Sequence, residues 1–196
     1  CAALDALGEI PDLPFAPTMN TPLPPAPFGE NEQALMSLVL ASAPPADVAA
    51  HDTVEEGALT AEIERRRTLQ SALRLAGVHA DFLADGSLVV TVPSTASAID
   101  QAAHAARAAL VVKEHWPAAE VAVCTGRGAV RGRVPVGDVV EQAAQLLAVR
   151  STPSPTRATP PRNGVRVDKL TAGLLEPRFA LTPSPEGPLL VGEEKD

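Results

Sequence analysis

The stretch HADFLADGSLVVTV, residues 79–92, sets two short apolar runs on either side of Asp85-Gly86. Asp-Gly between alternating residues is a strong hairpin signal, because a type I′ turn requires positive φ at both of its central positions. The stretch therefore predicts a β-hairpin with Asp85 at its tip. An aspartate there has two possible uses: it serves the turn alone, or it presents a carboxylate to a metal.

The hairpin sits inside a regular order of elements. Upstream, EQALMSLVLAS (residues 32–42) is a short continuous apolar run bounded by Gly29 and Pro44-Pro45, the pattern of a strand buried on both faces. Residues 54–76 then read as a helix, with Leu59, Ile63, Leu69, Leu73 and Ala76 near one face and Gly77 as its stop. Arg65, Arg66 and Arg67 cover more than one side of that helix and read as a solvated charge run.

Downstream of the hairpin a second helix is expected from about Thr95 to Trp116, on a stripe of Ile99, Ala102, Ala106, Leu110 and Val111, ended by Pro117. AEVAVCTGRGAVRGRVPVG (residues 119–137) predicts a strand at Val121–Cys124, a Gly-rich turn, and a strand around Ala129–Val134. A third helix follows over about Asp138–Val149, and the end of the chain reads as strand, short helix, strand, strand. Strand, helix, hairpin, helix, strand is a ferredoxin-like βαββαβ core, an α+β fold with helices on one face of a mainly antiparallel sheet. Many unrelated functions use that core, so it does not decide the chemistry.

Composition narrows the possibilities. With 196 residues, 45% of them hydrophobic, the chain can build a core, and at 3% aromatics that core must come from Ala, Val and Leu. The 20 prolines cluster: seven lie between Pro11 and Phe28 and four between Ser151 and Asn163, and both segments read as disordered. A net charge of −8 offers no footprint for nucleic acid. No apolar run is long enough to span a membrane, and two cysteines make no disulfide framework, so a cytoplasmic location is expected. Cys124, inside an apolar run, reads as buried filler. The glycines of TGRGAVRG match neither nucleotide-binding fingerprint, and His51, His79, His104 and His115 lack metal-ligand spacing.

One ensemble carries more. The apolar first strand, the hairpin with Ala84-Asp85-Gly86 at its tip, VAVCTGRGAVRGRVPVGDVVEQAAQLL, and the closing VRVDKLTAGLLEPRFAL and PLLVGEE together resemble the homology domain of class III adenylate and guanylate cyclases. The resemblance runs from about Glu32 to Glu194, and its most telling part is Gly137-x-x-Val140-x-x-Ala143-Ala144-x-Leu146, similar to the family's G-x-x-V-N-x-A-x-R-L. The amino-terminal AALDALGEIPDLP resembles the last helix of a bacterial Ser/Thr protein kinase domain passing into its linker. The implied organisation is a piece of a longer signalling protein: residues 1–30 as helix tail and Pro-rich linker, residues 31–196 as the cyclase-homology domain, with an insert at 151–163.

The resemblance also implies a site. In the family two aspartates hold two divalent metals that clamp the triphosphate for in-line phosphoryl transfer. Asp85 matches the second of them, whereas Ser42 stands at the first, where a neutral hydroxyl lacks the anionic oxygen Mg²⁺ requires. Asp47 and Asp52 lie farther on, beyond two prolines. Glu141 matches the Asn that orients the ribose, Gln145 the Arg that stabilises the developing charge, and Asp81 and Val134 the two base-reading positions. Each change weakens attraction for an anionic nucleotide.

The implied function is a non-catalytic regulatory module, as a homodimer or with attached kinase or ATPase domains. No cofactor is then expected. The alternative is a weakly active adenylate cyclase converting ATP to cyclic AMP with Mg²⁺ or Mn²⁺, using Asp85 and a second carboxylate such as Asp47.

Overall fold

Residues Ala34–Ser42 form the first strand, β1, and six consecutive side chains in it, Met36 to Ala41, are buried. A run apolar but for Ser37 has no solvent side, so both faces of this strand must be covered. This computed structural model describes residues 34–43, 56–93, 97–131, 134–148 and 164–194. After β1 come α1 (Glu56–Leu75), β2 (His79–Phe82), β3 (Leu88–Thr91), α2 (Ala98–His115), β4 (Glu120–Arg131) and β5 (Val134–Val136). The chain continues with α3 (Asp138–Ala148), β6 (Val165–Val167), α4 (Lys169–Leu175), β7 (Phe179–Thr182) and β8 (Leu189–Glu193). The expected tail and linker at 1–30, the insert at 151–163, and Asp47, Asp52 and His51 lie outside the described residues.

The strands form one sheet in the order β2-β3-β1-β4-β6-β8-β7, with β5 paired to β4. All pairings are antiparallel except β4 with β6, which gives the α+β architecture expected. The helices, however, cover both faces. Val39 and Ala41 of β1 point into a core with Leu69 and Leu73 of α1, the alanines of α2, and Ala172 and Leu175 of α4. Met36, Leu38 and Leu40, which alternate with them, pack with Val89 and Cys124 under Val139 and Ala143 of α3. The period-2 alternation of a strand makes these opposite faces, so the third helix closes the side that the one-faced expectation left open.

Three local readings also change. Ile63 and Ile99, assigned to apolar stripes, are 43% and 48% exposed. In α2 the buried surface is instead nearly all alanine, Ala102, Ala103, Ala105, Ala106, Ala108 and Ala109, which lets the helix lie close between sheet and neighbours. Arg65 and Arg66 are not merely solvated. Both pair with Glu62, and their guanidinium groups stack over Trp116 at 4.4 Å and Phe82 at 4.9 Å. They fasten α1 to the carboxyl-terminal end of α2 and to β2, each stack contributing on the order of 0.5–1 kcal/mol at a half-exposed site.

The third change concerns the Gly-rich segment. It is not a turn between two strands: β4 runs without a break through Gly126 and Gly128 to Arg131, pairing with β1 as far as Ala34↔Gly128. The glycines belong to the packing of α3. A Cβ on Gly126 would lie 3.2 Å from Gln142 Oε1, and one on Gly128 only 2.8 Å from Val139 Cγ1. Gly137, at φ +121°, turns the chain from β5 into the helix. No helix among the described residues is long and apolar enough to cross a membrane.

Candidate functional site

The hairpin is present, but its turn differs from the one expected. The Gly86 amide donates to the Leu83 carbonyl at 3.0 Å and the Leu83 amide to the Ser87 carbonyl at 2.7 Å, enclosing a three-residue loop, Ala84-Asp85-Gly86. Only Gly86 has positive φ, +83°, so Asp85 needs no left-handed conformation. This is a tight turn closed by a glycine bulge, and it frees Asp85 for a side-chain role.

That role is local. One carboxylate oxygen of Asp85 accepts from the Ser87 amide at 2.9 Å, the other from the Ser87 hydroxyl at 3.1 Å. Asp85→Ala is therefore expected to cost about 0.5–1 kcal/mol, whereas Asp85→Asn, which keeps an acceptor for the amide, should stay close to the parent. Adding Mg²⁺ or Mn²⁺ should leave all three melting temperatures unmoved. A metal-dependent rise in the parent that disappears in Asp85→Asn would assign the carboxylate to a cation instead.

Of the other residues singled out from the sequence, Ser42 and Asp81 share one face of the sheet. The β1–β3 register, Ala41↔Leu88, sets Ser42 level with Ser87 and so beside the Asp85 turn, while Ser42 faces Glu120 across β4. Asp81 pairs with Val89, and Val89 with Leu40, so Asp81 shares the face of Leu40 on which α3 lies. Glu141 and Gln145, four apart on α3, are both exposed. Val134 opens β5 opposite Arg131, and its side chain is outside the described set.

The donors fit a pair of divalent metals poorly. Ser42 offers a neutral hydroxyl, the Asp85 carboxylate is engaged by Ser87, and among the described residues no group of three or more His, Cys, Asp or Glu is gathered to hold an ion. A divalent cation favours several anionic oxygens, which the described residues of this face do not converge. Cys124 sits beneath α3, fully buried, and burial together with the Asp168 carboxylate pushes its thiol up to about 12. Such a thiol stays protonated and inert at neutral pH.

Two polar arrangements were not anticipated. Ser37 and Thr125 share a buried hydrogen bond of 2.9 Å, and a further one of 3.0 Å links the Thr125 and Thr171 hydroxyls. Asp168 accepts from the Thr171 hydroxyl and from the Leu170 amide, the latter at 2.9 Å, capping α4. Asp168 directly before an apolar helical run is a readable cap signal. The second arrangement, a buried Arg166–Glu186 pair, joins positions 20 residues apart and has no local pattern.

Strand order, register and helix placement together define an α+β domain with helices on both faces of a mainly antiparallel sheet. No family model matches the sequence, and no curated protein does. Solved structures do match. The guanylyl cyclase domain of the RhoGC fusion protein from the aquatic fungus Blastocladiella emersonii superposes with a TM-score of 0.63 at 13% identity, covering 83% of this chain and 99% of that one. The adenylyl cyclase CyaB from P. aeruginosa gives 0.57 at 14%, covering 84% and 96%. The guanylate cyclase domain of RhGC from Catenaria anguillulae, solved with GTP, gives 0.60 at 12%, covering 82% and 97%. This chain has the fold of class III adenylyl and guanylyl cyclase domains, and at these identities the likeness speaks for the fold alone.

Proposed function

We propose that residues 31–196 are a degenerate cyclase-homology domain working as a non-catalytic regulatory and dimerisation module of a multi-domain bacterial signalling protein. In this reading residues 1–30 are the tail and linker of an upstream kinase-like domain. The observation that carries the proposal is the state of the metal end of the site: neutral Ser42 beside an Asp85 whose carboxylate is already engaged by Ser87. On α3, Glu141 and Gln145 add an anion and a neutral amide where a triphosphate requires cationic and ribose-orienting groups. Loss of donors aimed at developing charge removes the largest single contribution to such catalysis.

Dimerisation rests on the shared fold. The guanylyl cyclase domain of RhoGC has been solved both as a monomer and as a dimer. The test combines two measurements on this chain. Incubation with ATP or GTP and Mn²⁺ is expected to yield no cyclic nucleotide, and sedimentation velocity at high micromolar concentration is expected to show a dimer. Cyclic AMP that disappears in Asp85→Ala would restore the enzyme reading, and a strict monomer would remove the dimerisation part.

A further inference from the structure

Among the described residues Arg166 is the one charged residue that is buried as a whole, at 6% exposure. It stands on β6 between Val165 and Val167, which join the core beneath α2, so its side chain leaves the sheet on the α3 face. There the guanidinium has two partners on different elements. One nitrogen donates to the Leu146 carbonyl in the last turn of α3 at 3.0 Å, and another pairs with Glu186 in the turn between β7 and β8. The Glu186 side chain is itself only 6% exposed. The turn is shaped to deliver it: the Gly187 amide donates to the Ser184 carbonyl at 3.0 Å, the Glu186 amide to the Ser184 hydroxyl at 3.3 Å, and Gly187 holds φ +117°.

We infer that Arg166 is a latch that makes the β7–β8 turn and the carboxyl-terminal turn of α3 dock or release together. The last carbonyls of a helix have no partner within it, and a cation there is also favoured by the helix dipole. Leu146 thus depends on a guanidinium that stays in the interior only while Glu186 neutralises it. Withdraw Glu186, and a buried unpaired cation is left, which must follow it toward water and abandon the carbonyl. A buried ion pair is weak evidence for stability in itself, but this one ties two separate elements to one guanidinium. Its readout is α3, whose exposed face carries Glu141 and Gln145, so an event that shifts the turn is felt on that face. The inference is independent of whether the domain is catalytic.

The test perturbs the turn and reads the helix by hydrogen exchange in the intact 196-residue chain. Gly187→Ala strains the turn, since its φ is one that side chains rarely adopt. In the parent background it should raise exchange on the order of tenfold both in the turn and at residues 145–148, with α2 still protected. In an Arg166→Met/Glu186→Leu background, where an apolar pair replaces the ionic one, the same change should raise exchange in the turn alone. As a second probe, Glu186→Gln without other changes should loosen the turn and the end of α3 together. An α3 terminus unmoved in the parent background, moved equally in the apolar background, or left protected in Glu186→Gln would overturn the latch.

Discussion

Gly128→Ala should destabilise the domain by about 1–3 kcal/mol, the usual cost of adding a methyl group to a filled site. At roughly 2–4 °C per kcal/mol for a chain of this size, the melting temperature should fall by several degrees. The new Cβ would meet Met36 Sδ at 2.7 Å, Val139 Cγ1 at 2.8 Å and the Val136 carbonyl at 3.1 Å. Met36 is flexible enough to retreat, but Val139 is fully buried and β-branched, and Val136 contacts through its backbone. Relief must therefore come from lifting α3 off β4. Gly173 in α4 is the control with the opposite sign. A Cβ there meets nothing within 4 Å, so Gly173→Ala should stabilise through helix propensity, by up to about 1 kcal/mol. Thermal denaturation of both variants decides the matter. A Gly128→Ala protein melting within a degree of the parent would show that α3 is not seated as closely as the glycines suggest.

These glycines also show where the sequence could be read and where it could not. The order of strands and helices was legible because β1, β3 and the two long helices carry strong patterns of their own. TGRGAVRG has the pattern of a turn because glycine clusters usually punctuate. Here the local signal lost to a tertiary one: the strand continues, and the small residues exist to admit a helix that arrives later in the chain. The one-faced placement of helices failed for the same reason, since nothing within Asp138–Ala148 says which side of the sheet it will cover. At the site, Asp85 was found from its turn, but its bonds to Ser87 followed from a three-residue loop that Asp-Gly alone does not distinguish from a two-residue one. The Arg166 pair was invisible because each partner looks like an ordinary charged residue until the fold brings them together.

The unmodified chain is expected to bind ATP and GTP more weakly than ~1 mM even with Mg²⁺, the level at which binding yields only about −4 kcal/mol. By the proposed correspondence a triphosphate would meet Asp81, Asp85 and Glu141 with no matching lysine or arginine. Each opposed like-charge pair at ~4 Å costs on the order of 1–4 kcal/mol between effective dielectrics of ~80 and ~20. Asp81→Lys combined with Glu141→Asn removes two repulsions and adds one attraction, so the dissociation constant should fall by about a hundred-fold or more by calorimetric titration. Salt then separates charge from shape. Asp85 and Glu141 are exposed, and repulsion from exposed charges is screened beyond about 8–10 Å at physiological ionic strength. If charge is the obstacle, moderate salt should weaken the gain made by the double substitution, because the new attraction is screened along with the old repulsion. A gain that is absent, or a low-micromolar constant in the unmodified chain, would mean that these residues do not surround a nucleotide at all.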